Sequence, residues 1–266
     1  MLSETTLAEL DAFLIALNRA AAAAILPLFR GDHGVEDKGE ATFDPVTAAD
    51  RGAEAAVRTL IQSTYPEHGV IGEEYGEDRP DAEFVWVLDP IDGTRAFIAG
   101  LPVWTTLIGL RFQGRPVAGS IGQPFLGEIF IGDRRGSRLI NANGERPLAT
   151  RRGVGLAAAI IATTDPDACF DGAERTAWSA LRRAARLTRL GCDAYAYAMV
   201  AAGAIDLVAE AGLKCWDIEA AIPVVEGAGG VVRDWTGAPV GLTGGRVVIA
   251  GDEALLAEAL PHLAPR

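Results

Sequence analysis

Acidic residues follow two apolar runs of strand length in the first third of the chain. The run FVWVL is followed by Asp89 and, three positions later, by Asp92. The shorter run GVIG is followed in the same way by Glu73 and Glu74. Burying a carboxylate without a cation or good hydrogen bonds costs several kcal/mol. Acids at the ends of neighbouring strands share one crevice, and they supply the hard oxygen ligands that Mg²⁺ requires.

The residues around the two aspartates also suit an anion. We expect Pro90 to stop the strand, and Gly93 and Thr94 to open a helix whose free N–H groups favour a phosphate. A turn with a helix cap is the alternative interpretation, because DP and DG dipeptides often form one. For the glutamate pair, the alternative is a solvated surface position.

Two further acidic segments lie near predicted helix starts. Asp217 belongs to WDIEAA, and the segment DPVTAAD contributes Asp44, Thr47 and Asp50 at the entry of the second predicted helix. Capping by the aspartates would explain much of both segments, so neither points to chemistry by itself.

Composition limits the classes of protein to which the chain can belong. Apolar residues make up 49% and charged residues 23% of 266 positions, which is typical of a folded globular enzyme. The formal net charge of -12 disfavours binding to nucleic acid or to an anionic membrane, because polyanions repel. We therefore expect no nucleic-acid or membrane partner, and the phosphate-binding residues around the two aspartates indicate a small phosphorylated metabolite instead.

The expected compartment is the cytoplasm. The three cysteines are an odd number with no metal-ligand spacing, so we interpret them as reduced and as small buried hydrophobes. The N-terminal segment MLSETTLAEL lacks the basic and apolar regions of a signal peptide, and no apolar run is long enough to span a bilayer.

The predicted elements fall into two halves. Helical spacing of leucines and alanines over residues 7–28 predicts a long first helix with Ser3 as its cap, and a second helix is predicted over residues 48–64. Strands dominate from residue 69, with a hairpin-type turn at Asn143-Gly144, and strands alternate with helices after about residue 150. We place a soft boundary there, giving a helix-plus-sheet half (1–150) and an α/β half (151–266).

The ordered motifs DPVTAAD, GEE, DPIDGT and WDIEAA resemble the inositol monophosphatase family of metal-dependent, lithium-sensitive phosphatases. The resemblance covers nearly the whole chain. It implies an α/β (α+β) fold, arranged as a layered αβαβα sandwich, a homodimer, and two or three Mg²⁺ ions in each site.

The resemblance also implies roles for individual residues. The implied metal ligands are Glu73, Asp89, the Ile91 carbonyl, Asp92 and Asp217. Glu73 would share the catalytic role with Thr47, Asp50 and Thr94, which would orient the attacking water, and the amides of Gly93 and Thr94 would hold the phosphate. Paired divalent ions neutralise phosphate oxygens and activate a water in line, so the implied chemistry suits these acids.

Other phosphatase chemistries fit the sequence less well. The aspartates have D-x-x-D spacing with a proline between them, whereas a haloacid dehalogenase-type enzyme requires D-x-D. None of the three histidines has an RHG context, and neither a C-x5-R loop nor a Gly-x4-Gly-Lys loop occurs.

The substrate is predicted from residues outside the metal motifs. The RAF continuation after DPIDGT, with GCDAYAYAMVAAG and VAEAGLKCWD, resembles the histidinol-phosphate phosphatases of the superfamily. We predict Glu210 at the rim of the crevice, with Asp193 opening a helix and Arg95 nearby, as the substrate-binding residues. Inositol 1-phosphate or another sugar phosphate is the alternative substrate, and a catalytically silent binding protein is the alternative function.

Overall fold

The computed structural model of the chain describes residues 2–31, 36–37 and 45–264, so Asp44 lies outside the described residues. Besides a 3₁₀ turn at Leu156–Ala158, the helices are α1 (Glu4–Ile25), α2 (Ala48–Thr64), α3 (Thr94–Ile98), α4 (Pro166–Cys169), α5 (Gly172–Ala184), α6 (Tyr195–Ala201), α7 (Cys215–Ile218), α8 (Ala221–Gly227) and α9 (Glu253–Leu263).

The strands follow the same numbering in chain order. They are β1 (Glu36–Asp37), β2 (Pro45–Val46), β3 (Gly69–Gly72), β4 (Gly76–Asp78), β5 (Phe84–Asp92), β6 (Thr105–Phe112), β7 (Arg115–Gln123), β8 (Glu128–Asp133), β9 (Gly136–Asn141), β10 (Gly144–Pro147), β11 (Ile160–Thr163), β12 (Leu187–Leu190), β13 (Leu207–Leu213), β14 (Val231–Arg233) and β15 (Gly245–Ala250).

Two large sheets and three helical layers form the body of the protein. The eight-stranded sheet has the order β10-β9-β8-β7-β6-β5-β3-β4, and the five-stranded sheet has the order β12-β11-β13-β15-β14. Helices α1 and α2 pack on one face of the large sheet, α6 and α8 fill the core between the sheets, and α5 and α9 cover the outer face of the small sheet. The predicted αβαβα sandwich is confirmed.

The first two helices begin and end close to where the sequence predicts. The Ser3 hydroxyl caps α1 by accepting a hydrogen bond from the Thr6 amide at 3.1 Å, and α2 occupies the predicted range. The buried faces of both helices carry the predicted apolar residues, which satisfies the helical period. Thr150, at the predicted boundary, lies in the connection between β10 and β11, and the division into two halves remains a prediction.

The prediction that Pro90 stops its strand is wrong. Strand β5 continues through Pro90 to Asp92, with a shift in its register against β6 between Asp89 and Asp92. The irregularity removes the need for the ladder hydrogen bond that proline cannot donate. The Pro90 carbonyl instead accepts a hydrogen bond from the Thr106 hydroxyl at 2.8 Å.

The predicted helix that starts at WDIEAA is divided into α7 and α8, which meet at Glu219 and Ala220. A Cβ atom on Gly119 would lie 2.3 Å from the Ala220 carbonyl oxygen, so only glycine allows this close approach to the large sheet. Glu219 is buried and accepts two hydrogen bonds from the Arg111 guanidinium of β6. The junction is therefore fixed to the opposite half of the chain.

Other expectations need smaller corrections. Strand β12 falls between two predicted helices and was not predicted. Cys169 is exposed, and Cys192 and Cys215 are half-buried, so the cysteines are not core residues. Within the described ranges, no helix combines the length and apolar character needed to cross a membrane.

Candidate active site

The crevice begins where β3 ends beside Leu88 of β5. These strands are parallel neighbours in which Gly72 pairs with Leu88, so Glu73 and Asp89 emerge at the same edge of the sheet. The Glu73 amide donates to the Leu88 carbonyl at 3.2 Å, which continues the pairing by one residue. The predicted meeting of the two acidic segments is confirmed.

Three aspartates from both halves of the chain converge at this edge. Asp89, Asp92 and Asp217 each offer a carboxylate oxygen, and these oxygens lie within 4.8 Å of one another. Asp217 occupies the third position of α7, where its carboxylate accepts a hydrogen bond from the Lys214 amide at 2.6 Å. It therefore contributes to the helix start without being the N-cap residue, and it also faces the other two acids.

The negative charges of the three carboxylates repel one another. Asp89 is 3% exposed, and its Oδ1 atom has no hydrogen-bond partner among the described residues. Burial, together with the charges of Glu73, Asp92 and Asp217, raises the pKa of Asp89 well above its usual range. Burial likewise raises the pKa of Asp92 well above its usual range and that of Asp217 to about 6.

The donor set fits a hard divalent cation. The three aspartates group their carboxylate oxygens, and Asp89 Oδ1 has no hydrogen-bond partner in the described part of the chain. Carboxylate oxygens are ligands that Mg²⁺ takes in proteins. A cation between them would remove both the mutual repulsion and the cost of burial. The cluster adjoins a crevice of about 360 Å³, whose lining includes Glu73, Ile91, Thr94, Arg95, Asp193, Tyr197 and Glu210.

The predicted phosphate cradle lies beside the aspartates. Gly93 has φ 85°, and it caps the five-residue helix α3, which begins at Thr94 as predicted. The Thr94 hydroxyl donates to the Ile91 carbonyl at 3.1 Å, so it contacts the group to which the resemblance assigns metal ligation. A Cβ atom on Gly93 would lie 2.9 Å from a carboxylate oxygen of Asp193, which leaves no room for a side chain there.

Thr47 and Asp50 form a buried pair at the start of α2. The Thr47 hydroxyl and amide both donate to Asp50 Oδ2, and the Thr47 Oγ1 atom accepts from the Ala49 amide at 3.1 Å. The capping interpretation is therefore correct. The pair also lies near the acids, since the charge of Asp50 contributes to raising the pKa of Asp89.

The predicted substrate residues line the crevice, but Glu210 does not occupy the rim as expected. It is 3% exposed, because strand β13 continues beyond it to Leu213. Its carboxylate accepts hydrogen bonds from the Thr163 hydroxyl and from the amide and hydroxyl of Thr164. Burial raises the pKa of Glu210 to about 8 despite these donors.

Asp193 also differs from its prediction, because α6 begins two residues later, with Ala194 as its cap. Asp193 has φ 45°, and burial raises its pKa to about 6, opposed by the charge of Arg95. The next residue reaches the aspartate cluster, since the Ala194 amide donates to Asp92 Oδ2 at 2.6 Å. This contact between the halves was missed, because a backbone amide leaves no trace in the residue types.

Glu54 is a second feature that the sequence analysis missed. It is fully buried on α2, and it contacts the turn that contains Glu73 and Glu74. One signal was available, because Glu54 follows Ala53 and lies on the predicted buried face with Val57 and Ile61. A charged residue on such a face requires a partner.

Comparison with known proteins identifies the family of the chain. The Inositol monophosphatase family matches residues 6–264. The chain is 41% identical to the bifunctional phosphatase IMPL2, chloroplastic, of Arabidopsis thaliana, covering 98% of this chain and 78% of the relative. It is 34% identical to a histidinol-phosphatase of Chlorobaculum parvum, covering 73% of each chain.

A solved structure gives the same result for the fold. An inositol monophosphatase from Zymomonas mobilis superimposes with a TM-score of 0.85 at 39% identity, covering 96% of this chain and 97% of the other. The family match spans all of the acidic motifs described here, and the layered architecture is shared. This chain therefore belongs to the inositol monophosphatase family of metal-dependent phosphatases.

Proposed function

We propose that this member of the family hydrolyses L-histidinol phosphate to L-histidinol and phosphate. The observation that carries the proposal is that two carboxyl groups outside the metal cluster, those of Asp193 and Glu210, line the same crevice as the three aspartates. Histidinol carries an ammonium and an imidazole, and a carboxylate forms strong charge-assisted hydrogen bonds to such cations. The similarity to a protein named histidinol-phosphatase supports the same substrate.

The phosphate side of the reaction is assigned to the acidic cluster and the start of α3. Glu73, Asp89, the Ile91 carbonyl, Asp92 and Asp217 would hold Mg²⁺, which supplies positive charge against the charge that develops on the phosphate oxygens. The first amides of α3, at Gly93 and Thr94, have no acceptor within their own helix turn and would donate to the bound phosphate.

The attacking water is assigned to the pair at the start of α2. The Thr47 hydroxyl donates its proton to Asp50 and accepts from the Ala49 amide with one lone pair, which leaves one lone pair to accept a hydrogen bond from water. A proton taken from the water can pass through this hydroxyl to the Asp50 carboxylate. Thr94 can accept from the same water, since its own proton is used on the Ile91 carbonyl.

Binding of the alcohol part of the substrate is assigned to Glu210 and Asp193, which line the crevice. Arg95 offsets part of the charge of Asp193, so Glu210 is the stronger partner for a cation. A bound ammonium would favour the ionised form of Glu210, whose pKa in the empty crevice is raised to about 8 by burial. Binding of the substrate ammonium should therefore improve as the pH rises from about 6 to 8.

The first experiment compares three esters with Mg²⁺: L-histidinol phosphate, inositol 1-phosphate and p-nitrophenyl phosphate. We expect the highest kcat/KM for L-histidinol phosphate. A preference for inositol 1-phosphate would reject the substrate assignment and favour the activity named for the Zymomonas mobilis structure. No hydrolysis of any ester would favour a binding protein.

The second experiment tests Glu210 itself. Glu210→Gln should raise KM for L-histidinol phosphate about tenfold, which corresponds to about 1.4 kcal/mol, and should barely change the hydrolysis of p-nitrophenyl phosphate. Equal losses on both esters would mean that Glu210 acts by holding Thr163 and Thr164 in place.

A homodimer and a cytoplasmic location remain predictions.

A further inference from the structure

Glu54 is a buried acid that none of the proposed catalytic steps uses. It lies on α2, one helical turn after Asp50, and its side chain is 0% exposed. An acid in such a position must be compensated, because a buried unpaired carboxylate is strongly disfavoured. Its partners therefore indicate what it does.

The Glu54 carboxylate is held by the turn between β3 and β4. Its Oε2 atom accepts from the Glu74 amide at 2.8 Å, and its Oε1 atom accepts from the Tyr75 amide at 3.1 Å. Arg58, one turn further along α2, donates to Oε1 at 2.7 Å and also contacts the Gly76 carbonyl. Two successive amides and a guanidinium thus enclose a single carboxylate.

The turn is shaped to admit this carboxylate. A Cβ atom on Gly72 would lie 2.1 Å from Glu54 Oε1 and 2.8 Å from Arg58 Nη2. Any side chain at this position would displace both groups. Gly72 also ends β3 in register with Leu88 of β5, so the strand and the carboxylate fix the turn from two sides.

Glu73 is the residue between these two fixed points. Its own amide is bonded to Leu88, and the next amide along the chain is bonded to Glu54. We propose that Glu54 is a positioning residue that holds the Glu73 turn in the conformation that binds Mg²⁺. The proposal rests on the metal role proposed above for Glu73.

The geometry also connects two parts of the site. Helix α2 starts with the Thr47–Asp50 pair, and Glu54 joins the same helix to the turn of Glu73. The distance between the proposed water-binding pair and the proposed metal ligand is therefore set by one rigid helix and one buried carboxylate. Residues that orient metal ligands in this way typically change metal affinity by 10- to 100-fold when they are replaced.

The test is Glu54→Gln, with Mg²⁺ titrated calorimetrically into the metal-free protein. The glutamine oxygen can accept from one amide, but its NH₂ group must face the other amide or Arg58, so the turn is released on one side. We expect the Kd for Mg²⁺ to rise at least about tenfold. At saturating Mg²⁺, kcat should recover most of the wild-type value, because the ligands themselves are unchanged.

Asp206→Asn is the matched control. Asp206 is also 0% exposed, and it accepts from the Ile160 amide at 2.7 Å and from the Arg151 guanidinium. It precedes β13, at the end of that strand away from the crevice, so the same loss of charge should lower Tm without changing the Kd for Mg²⁺. An equal rise of Kd in both variants would overturn the proposal.

Glu73→Gln distinguishes the proposed metal-binding role of Glu73 from the proposed positioning role of Glu54. If Glu73→Gln weakens Mg²⁺ binding while Glu54→Gln stays within about twofold of wild type, the positioning role is rejected and the metal role stands. If Glu73→Gln binds Mg²⁺ normally, the metal role is wrong and the positioning role fails with it.

Gly72→Ala keeps the test decisive if Glu54→Gln does not fold. It displaces the same carboxylate without changing its charge, so it should also raise the Kd for Mg²⁺ at least about tenfold. A folded Gly72→Ala protein with wild-type Mg²⁺ affinity would overturn the proposal.

Discussion

Asp89→Asn should make the metal-free protein more stable while removing its activity. Asp89 lies within 4.8 Å of two other carboxylates, and burial raises its pKa well above the usual range. At an effective dielectric constant of about 20, two full charges at this distance repel each other by about 3.5 kcal/mol. The asparagine amide instead donates to the remaining carboxylates.

The magnitude and its pH dependence follow from this repulsion. The wild-type carboxyls relieve part of it by retaining protons, so we expect a net gain of about 2 kcal/mol at pH 8, or about 4 to 8 °C in Tm. A folded pKa above the unfolded value means that stability is fully present below pH about 4 and is lost as the pH rises through the folded pKa. The gain from Asp89→Asn should therefore shrink toward pH 5.

Thermal melts with EDTA or Mg²⁺, at pH 5 and pH 8, measure these effects. Mg²⁺ should raise the Tm of the wild type more at pH 8 than at pH 5, and it should barely change the Tm of the variant. The variant should also retain less than about a tenth of the wild-type kcat, a loss of more than about 1.4 kcal/mol of transition-state stabilisation. A metal-free variant that melts at or below the wild-type temperature at pH 8 would refute the reasoning.

Three further predictions concern other parts of the molecule. Thr47→Val should lower kcat about 100-fold with an unchanged Kd for Mg²⁺, because it removes the hydroxyl bonded to Asp50; a kcat near wild type would exclude the water-binding role. Gly119→Ala should lower the free energy of unfolding by about 2 kcal/mol, because its methyl group would clash with Ala220. Gly52→Ala has open space around it and should raise the free energy of unfolding by about 0.5 to 1 kcal/mol, because alanine favours the helix. Urea unfolding measures both changes. Li⁺ at millimolar concentration should inhibit turnover at subsaturating Mg²⁺, and a flat titration would remove this expectation.

The elements that the sequence predicts well are those with a strong local pattern. Helix α2 was predicted residue for residue, because its apolar period, the Thr47 cap and a following proline all agree. The meeting of Glu73 and Asp89 also followed from local information, since each acid follows an apolar run of strand length. The order of the layers came from the resemblance to a family and could not be derived from periodicity.

The features that were missed depend on contacts between distant parts of the chain. Pro90 remains in its strand because β6 provides a shifted register and a hydroxyl for its carbonyl, and neither is visible in DPIDGT. Glu210 is buried within β13, and its carboxylate is bonded to Thr163 at the end of β11 and to Thr164 after it. Local patterns predict which residues form a strand, but the residues that contact a side chain and bury it lie elsewhere in the sequence.

The junction between α7 and α8 has a consequence for how molecules enter and leave the crevice. Ala220 packs against Gly119 with no space for a methyl group, and Glu219 is clamped by Arg111 of the large sheet. The small sheet cannot swing away from the large one without exposing this buried ion pair, which is costly. We therefore expect the substrate ester to enter the crevice, and the product alcohol to leave it, without a hinge motion between the two sheets. The loops around the mouth of the crevice would then control access.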